Sequence, residues 1–126
     1  MLGTSTCEPV IKWAQNLTHL FIAVKLSHRW DSPPCSTTLK EAYSVINQTL
    51  RFNNVCLVSN EQITFEFKIN LLNGTEDNLD IKKDGVGTYS ITIKKKEEGT
   101  WLNLDQDYSY HQIWEEVMMR NQTFYQ

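Results

Sequence analysis

Few residues in this chain have the types or spacing that chemistry demands. Its three histidines, His19, His28 and His111, have no metal-ligand spacing among themselves or with the cysteines. Those cysteines, Cys7, Cys35 and Cys56, include no C-x-x-C pair, so no zinc framework is spelled out and no metal or cofactor is expected. Nucleophilic catalysis needs a serine or cysteine held in a tight turn beside a base, and no G-x-S-x-G segment exists here. Gly85-Val86-Gly87 lies between two strand-like runs, without the helix N-terminus that a phosphate loop requires. The chain reads as non-enzymatic; a site assembled from distant residues would draw on His19, His28, His111 or Tyr89.

Recognition has better material. Lys94, Lys95 and Lys96 form the one basic cluster, followed by Gly99 and Trp101. An electrostatically guided docking site would use these ammonium groups with Trp101 as its anchor, whereas the plainer alternative is solvated edge charges and a tryptophan that closes the core. Trp114 divides in the same way between a core plug and a docking face. A net charge of -3 argues against a nucleic-acid partner, because phosphate neutralisation needs a basic face. The longest apolar run, Leu20 to Val24, is far short of the ~20 residues of a spanning helix, so this segment is expected to be soluble, without membrane insertion, and monomeric.

Modification chemistry is the other signal. N-x-Thr sequons occur at Asn16, Asn47, Asn73 and Asn121, more than chance predicts from the Asn and Thr content, and this favours a glycoprotein of the secretory pathway. Asn16 and Asn73 fall in expected loops, Asn47 in or near a strand, and Asn121 in a loose tail. Cys35 and Cys56 pair if the segment bearing Cys35 folds back on the strand bearing Cys56; otherwise both stay free thiols. The endoplasmic reticulum lumen or extracellular space, and the cytoplasm, both stay open as compartments. The chain is expected to be a piece of a longer protein whose targeting segment lies elsewhere.

The elements that must position these residues are strands. Leu20, Ile22, Val24 and Leu26 alternate with Phe21, Ala23 and Lys25, a period of two. Ile63, Phe65, Phe67, Ile69 and Leu71 interleave with Thr64, Glu66, Lys68 and Asn70, giving one apolar and one wet face. Tyr89, Ile91 and Ile93 repeat the pattern behind Asp84-Gly85-Val86-Gly87, which predicts a hairpin from about 79 to 95. Val10 to Ala14, with Trp13, reads as a further strand. Leu50-Phe52 and Val55 to Val58 read as two short strands turning at Asn53-Asn54. With Leu79 to Lys83 this makes a seven-stranded antiparallel β-sandwich in one domain over 1–126. Its expected core is Trp13, Leu20, Ile22, Val24, Phe65, Phe67, Ile69, Ile91 and Ile93. A long first connection at about 28–40, with Pro33-Pro34, is expected to be exposed. Tyr110, Ile113, Trp114 and Val117 lie at helical spacing and predict a short amphipathic helix in a C-terminal extension at about 105–126.

Ile63 to Leu104 reads ITFEFKINLLNGTEDNLDIKKDGVGTYSITIKKKEEGTWLNL. An amphipathic strand ending in Leu71-Leu72 is followed by the acidic Glu76-Asp77 loop and the short strand Leu79 to Lys83. Then Ile91 to Lys96 runs into lysines and is closed by Gly99 and Trp101. In this order of parts the chain resembles the CS domain of co-chaperones of the 90-kDa heat-shock chaperone and of nuclear-movement proteins. Val10 to Leu26 looks like that family's opening pair of strands. The 28–40 insertion and the C-terminal extension lie outside the resemblance. Trp101-Leu102-Asn103-Leu104 also departs from it, since family members carry paired aromatics and a basic residue there. The resemblance implies a protein-interaction module in protein folding, docking on that chaperone or on a client through Lys94, Lys95, Lys96 and Trp101. The alternative is an interaction or scaffolding domain of a larger secretory or membrane protein that keeps the fold without chaperone binding.

Overall fold

The computed structural model describes residues 4–27, 29–32, 34–35, 37–58, 60–85 and 87–122. Among the described residues, nine strands and one helix follow in chain order: β1 Thr4–Cys7, β2 Val10–Gln15, β3 His19–Lys25, β4 Thr37–Ile46, β5 Thr49–Val58, β6 Glu61–Asn70, β7 Asp80–Gly85, β8 Thr88–Lys94, β9 Gln112–Ile113 and α1 Glu115–Gln122. They form two sheets, β1-β6-β5-β4 and β7-β8-β3-β2-β9, whose inner faces share one apolar core. The molecule is all-β, as its alternating patterns predict.

Strand count and direction differ from expectation. Three strands, β1, β4 and β9, lie outside the expected seven, and the two short strands expected at 50–52 and 55–58 are one, β5; β1 runs parallel to β6 and β9 to β2, so both sheets are mixed. Neither carries the apolar alternation that would have marked it: β1 is Thr-Ser-Thr-Cys and β9 is only Gln-Ile. After β1 the chain passes the buried Pro9 and enters the other sheet as β2.

The second correction concerns the first connection and the strand after it. β4 occupies Thr37–Ile46, so the irregular stretch ends before 37. β5 runs through Asn53-Asn54 without turning, and its partner hairpin turns at Asn47-Gln48 instead. Both turn residues have positive φ, 51° and 68°, the mirror-image turn whose twist suits paired strands. Asn54 is fully buried, on the inward face with Leu50, Phe52 and Cys56.

β6 keeps the expected register, with Phe65 and Ile69 buried while Glu66 and Lys68 are exposed. Phe67 departs from the expected core by being only partly buried, though its ring stacks on Phe52 at 5.2 Å. The cause is the short reach of β1, which ends at Cys7 opposite Phe65 and leaves the β6 edge uncovered beyond it. Trp13, Leu20, Ile22, Val24, Ile91 and Ile93 are buried as expected. β7 and β8 form the expected hairpin, and Gly87 there has φ +73°. A Cβ on Gly87 would meet the Cys35 carbonyl oxygen and the Pro34 side chain, each at 2.7 Å, so glycine serves both conformation and space.

The C-terminal helix starts later than its spacing predicts. Tyr110 is 88% exposed, and Gln112 and Ile113 pair with β2 rather than entering the helix. α1 begins at Glu115, with Glu115 and Glu116 favourably placed in its first turn, and packs beside β2 with Val117 buried.

Candidate functional site

The basic cluster and three of the four sequons meet at one end of the sandwich. Here the β2–β3 turn, the β4–β5 turn, the β6–β7 connection and the segment after β8 are tied together. Lys95 N donates to Thr18 O at 2.8 Å, Gly99 N to Leu17 O at 3.0 Å, Lys96 N to Gly74 O at 3.0 Å, and Leu71 N to Gln48 O at 2.8 Å. Asn47 N donates to Asp77 Oδ1 at 3.1 Å.

The three lysines do not act as one patch. β8 sends Tyr89, Ile91 and Ile93 inward, and Lys95 continues that parity: it is only 4% exposed, whereas Lys94 and Lys96 point to solvent. The Lys95 ammonium donates to Gln15 Oε1 at 2.8 Å, Asn16 O at 2.7 Å and Gly99 O at 2.5 Å, and lies 5.7 Å from the Trp101 ring centre. Gln15 completes the clip, accepting from Trp101 N and donating to Trp101 O, both at 2.8 Å. Burial pushes the Lys95 ammonium down to about 8, so at neutral pH it stays charged and holds three oxygens. Trp101 is 5% exposed and closes the core, so its ring is not an exposed anchor. Lys94 lies 3.6 Å from Glu76, and Lys96 is followed in the chain by the exposed Glu97 and Glu98, so the outward charge here is mixed rather than basic. Trp114 is half-buried between β9 and α1, and its backbone N donates to Trp13 O at 2.7 Å.

The sequons differ in setting. Asn47 is exposed at the tip of its two-residue turn, not within a strand. Asn16 Oδ1 accepts from Thr18 N at 2.9 Å, Thr18 Oγ1 at 3.1 Å and His19 N at 2.7 Å, a side-chain turn that stitches β2 to β3. Asn73 is exposed, but Thr75 two residues on is buried. The side chain of Asn121 lies outside the described residues.

The opposite end carries a disulfide between Cys35 and Cys56, with Cα atoms 6.2 Å apart. The first connection therefore folds back on β5, and Cys35 is buried. Beside it runs a polar chain that the sequence reading missed. Asn54 Nδ2 donates to Tyr89 Oη at 2.9 Å, Tyr89 Oη–H to Glu41 Oε1 at 2.9 Å, and Lys83 Nζ to the same Glu41 oxygen at 2.7 Å. The Lys83 hydrogen bond holds the Glu41 carboxyl below its ordinary range against the opposing effect of burial; burial raises the Tyr89 phenol. An unbroken period of two through Leu50, Phe52, Asn54 and Cys56 was the available signal for Asn54 facing inward.

Among the described residues, the titratable suspects do not converge. Tyr89 belongs to that polar chain. His19 Nδ1 is 2.7 Å from Thr18 Oγ1, and His111 Nε2 is 2.9 Å from Asp105 Oδ2. Burial opposes the Asp105 charge, but hydrogen bonds from His111 and Ser109 outweigh it and lower its pKa. His28 lies outside the described residues. A groove of about 870 Å³ crosses β1, β6, β5 and β4 past Arg51, Asn53, Glu66 and Lys68, and a cleft of about 550 Å³ lies by Asp105 and His111. Among the described residues, no cluster of three or more His, Cys, Asp or Glu is placed to hold a metal ion, and no helix is long and apolar enough to cross a membrane. No protein-family model matches the chain, and no curated protein matches it either.

Proposed function

We propose that this chain is a non-enzymatic protein-interaction domain of the secretory pathway, a CS-like sandwich that serves as a scaffold without the chaperone-docking surface. The observation that carries this reading is the Cys35–Cys56 disulfide, because such bonds persist in oxidising compartments and are rare in the cytosol. Exposed Asn47 and Asn73 support it, since both sit on loops where a glycan has room. The order of β6, β7 and β8, with Trp101 closing the end, supports the CS likeness. Fold alone assigns no partner, however, and the inward Lys95 and Trp101 take two of the five expected docking residues off the surface.

Thiol counting on protein made in a secretory host tests the compartment. One alkylatable thiol, Cys7, is expected before reduction and three after it; three before reduction would end the reading. The co-chaperone role retains Lys94 and Lys96, and it is tested by retention of the 90-kDa heat-shock chaperone with and without ATP. No retention is expected. Retention that disappears in a Lys94→Glu/Lys96→Glu variant would restore chaperone docking as the function.

A further inference from the structure

We propose that folding closes the Asn73 sequon, so that a glycan reaches Asn73 only while the β6–β7 connection is still undocked; this rests on the secretory reading above. N-glycosylation needs both halves of the signal, the asparagine amide that is modified and the hydroxyl two residues on. At Asn47 both stay near the surface: the asparagine is exposed at a turn tip, and Thr49 Oγ1 donates to Asn70 Oδ1 at 3.3 Å in an exposed setting. At Asn16 the three bonds all fall on Oδ1, while transfer modifies Nδ2, so the turn survives the modification.

Asn73-Gly74-Thr75 is different. Gly74 O accepts from Lys96 N at 3.0 Å, Thr75 bridges to Lys95, and Glu76 N donates to Lys94 O at 3.0 Å, so the sequon's backbone is laid against the end of β8. Thr75 is 2% exposed and its hydroxyl oxygen is buried without a hydrogen-bond partner. A side chain at Gly74 would already touch Lys96 at 3.2 Å. The transferase would have to lift this strand-like segment off β8 to reach the Thr75 hydroxyl. The hydroxyl makes no hydrogen bond in the fold, where an isosteric valine would avoid its desolvation.

The transfer requires a lipid-diphosphate-linked oligosaccharide as co-substrate. A bond forms between Asn73 Nδ2 and the anomeric carbon as the bond from that carbon to phosphate oxygen breaks. The diphosphate leaves with the electron pair, and one amide proton passes to a base of the transferase. No oxidant or reductant is needed.

The test uses the full chain, disulfide intact and unglycosylated, incubated with detergent-opened microsomes and the lipid-linked donor, beside the same chain reduced and unfolded. Glycopeptide mass mapping reads each site. Asn47 is expected to be modified in both states and Asn73 only in the unfolded one. The proposal is overturned if the folded chain accepts a glycan at Asn73 as readily as the unfolded chain, or if Asn47 is lost on folding to the same degree. Absence of transfer to the unfolded chain at every sequon would instead overturn the glycoprotein reading on which this one rests. In cells, dithiothreitol during synthesis keeps Cys35 and Cys56 apart and delays folding; Asn73 occupancy should then rise while Asn47 occupancy holds, and an unchanged Asn73 counts against the proposal.

Discussion

The two ends of this sandwich are closed by different chemistry. At one, a disulfide joins the first connection to β5, with the Asn54–Tyr89–Glu41–Lys83 chain beside it. At the other, a single buried ammonium and one glutamine hold the β2–β3 turn and the Trp101 segment together. A covalent closure responds to redox state and is indifferent to protons. The Lys95 closure responds to protons and is indifferent to redox. The cluster that most invites a docking hypothesis is thus in part a structural clip, and the sequons at Asn16, Asn47 and Asn73 crowd the same end. Glycans on these asparagines would stand at the same end as Lys94 and Lys96.

Removing the covalent closure should have the largest effect. Replacing Cys35 and Cys56 together by Ser reopens a connection with a sequence separation of 21, and the chain-entropy relation gives a loss of about 3 kcal/mol. Urea unfolding of the variant should match that of wild type under dithiothreitol. A reductant that leaves the wild-type midpoint unmoved would mean that the bond contributes nothing to closing that end.

Lys95→Met tests the other end and should cost about 2 kcal/mol, because the buried Gln15 Oε1 and the part-buried Asn16 O and Gly99 O lose a donor. The loss should be the same with or without reductant, since the two sites share no partner. An effect near zero would mark Lys95 as an ordinary surface lysine and return it to the docking hypothesis.

Tyr89→Phe, beside the disulfide, should lose about 1–2 kcal/mol by taking the acceptor from buried Asn54 and a donor from Glu41. Circular dichroism melting measures it. A larger loss in the reduced protein than in the oxidised one would show that the polar chain and the disulfide are coupled rather than parallel closures.

How far this was legible depended on whether a residue's setting follows from its own strand. β2, β3, β6 and the β7–β8 hairpin were readable because period two declares both faces, and the parity that buries Ile91 and Ile93 also points to an inward Lys95 once its charge is ignored. β1 and β9 were not readable, since each exists by pairing with a distant strand and carries no pattern of its own. The Asn53-Asn54 turn failed because turn propensity there yields to burial: Asn54 finds partners on the facing sheet, which sequence spacing does not encode. The Cys35–Cys56 pairing hinged on how the first connection folds back, a tertiary fact. At the candidate site, the sequence treats Lys94, Lys95 and Lys96 alike, whereas the fold turns Lys95 inward and brings Glu76 from the β6–β7 connection to Lys94.

The pH dependence of the Lys95 closure separates the two ends most cleanly by its sign. In the unfolded chain a lysine titrates near 10.4, whereas burial brings Lys95 to about 8 in the fold. Below about pH 8 both states hold the proton and stability from this group is flat. Between about pH 8 and 10 the folded state releases it while the unfolded state keeps it, so the unfolded state binds more protons and unfolding free energy rises with pH. Cys7 works in the opposite direction over this window: burial raises its pKa in the fold, so the unfolded chain loses that proton first. The wild type alone therefore gives a blurred profile. Subtracting the profile of Lys95→Met, in which Cys7 is unchanged, isolates the lysine. The stability difference between wild type and Lys95→Met, taken from denaturant curves at about pH 7, 8, 9 and 10, should grow in favour of wild type above pH 8. A difference that is level across the series would mean that the ammonium titrates alike in both states and that water reaches it. The clip would then be a surface contact, and the contrast between a proton-sensitive end and a redox-sensitive end would rest on the disulfide alone.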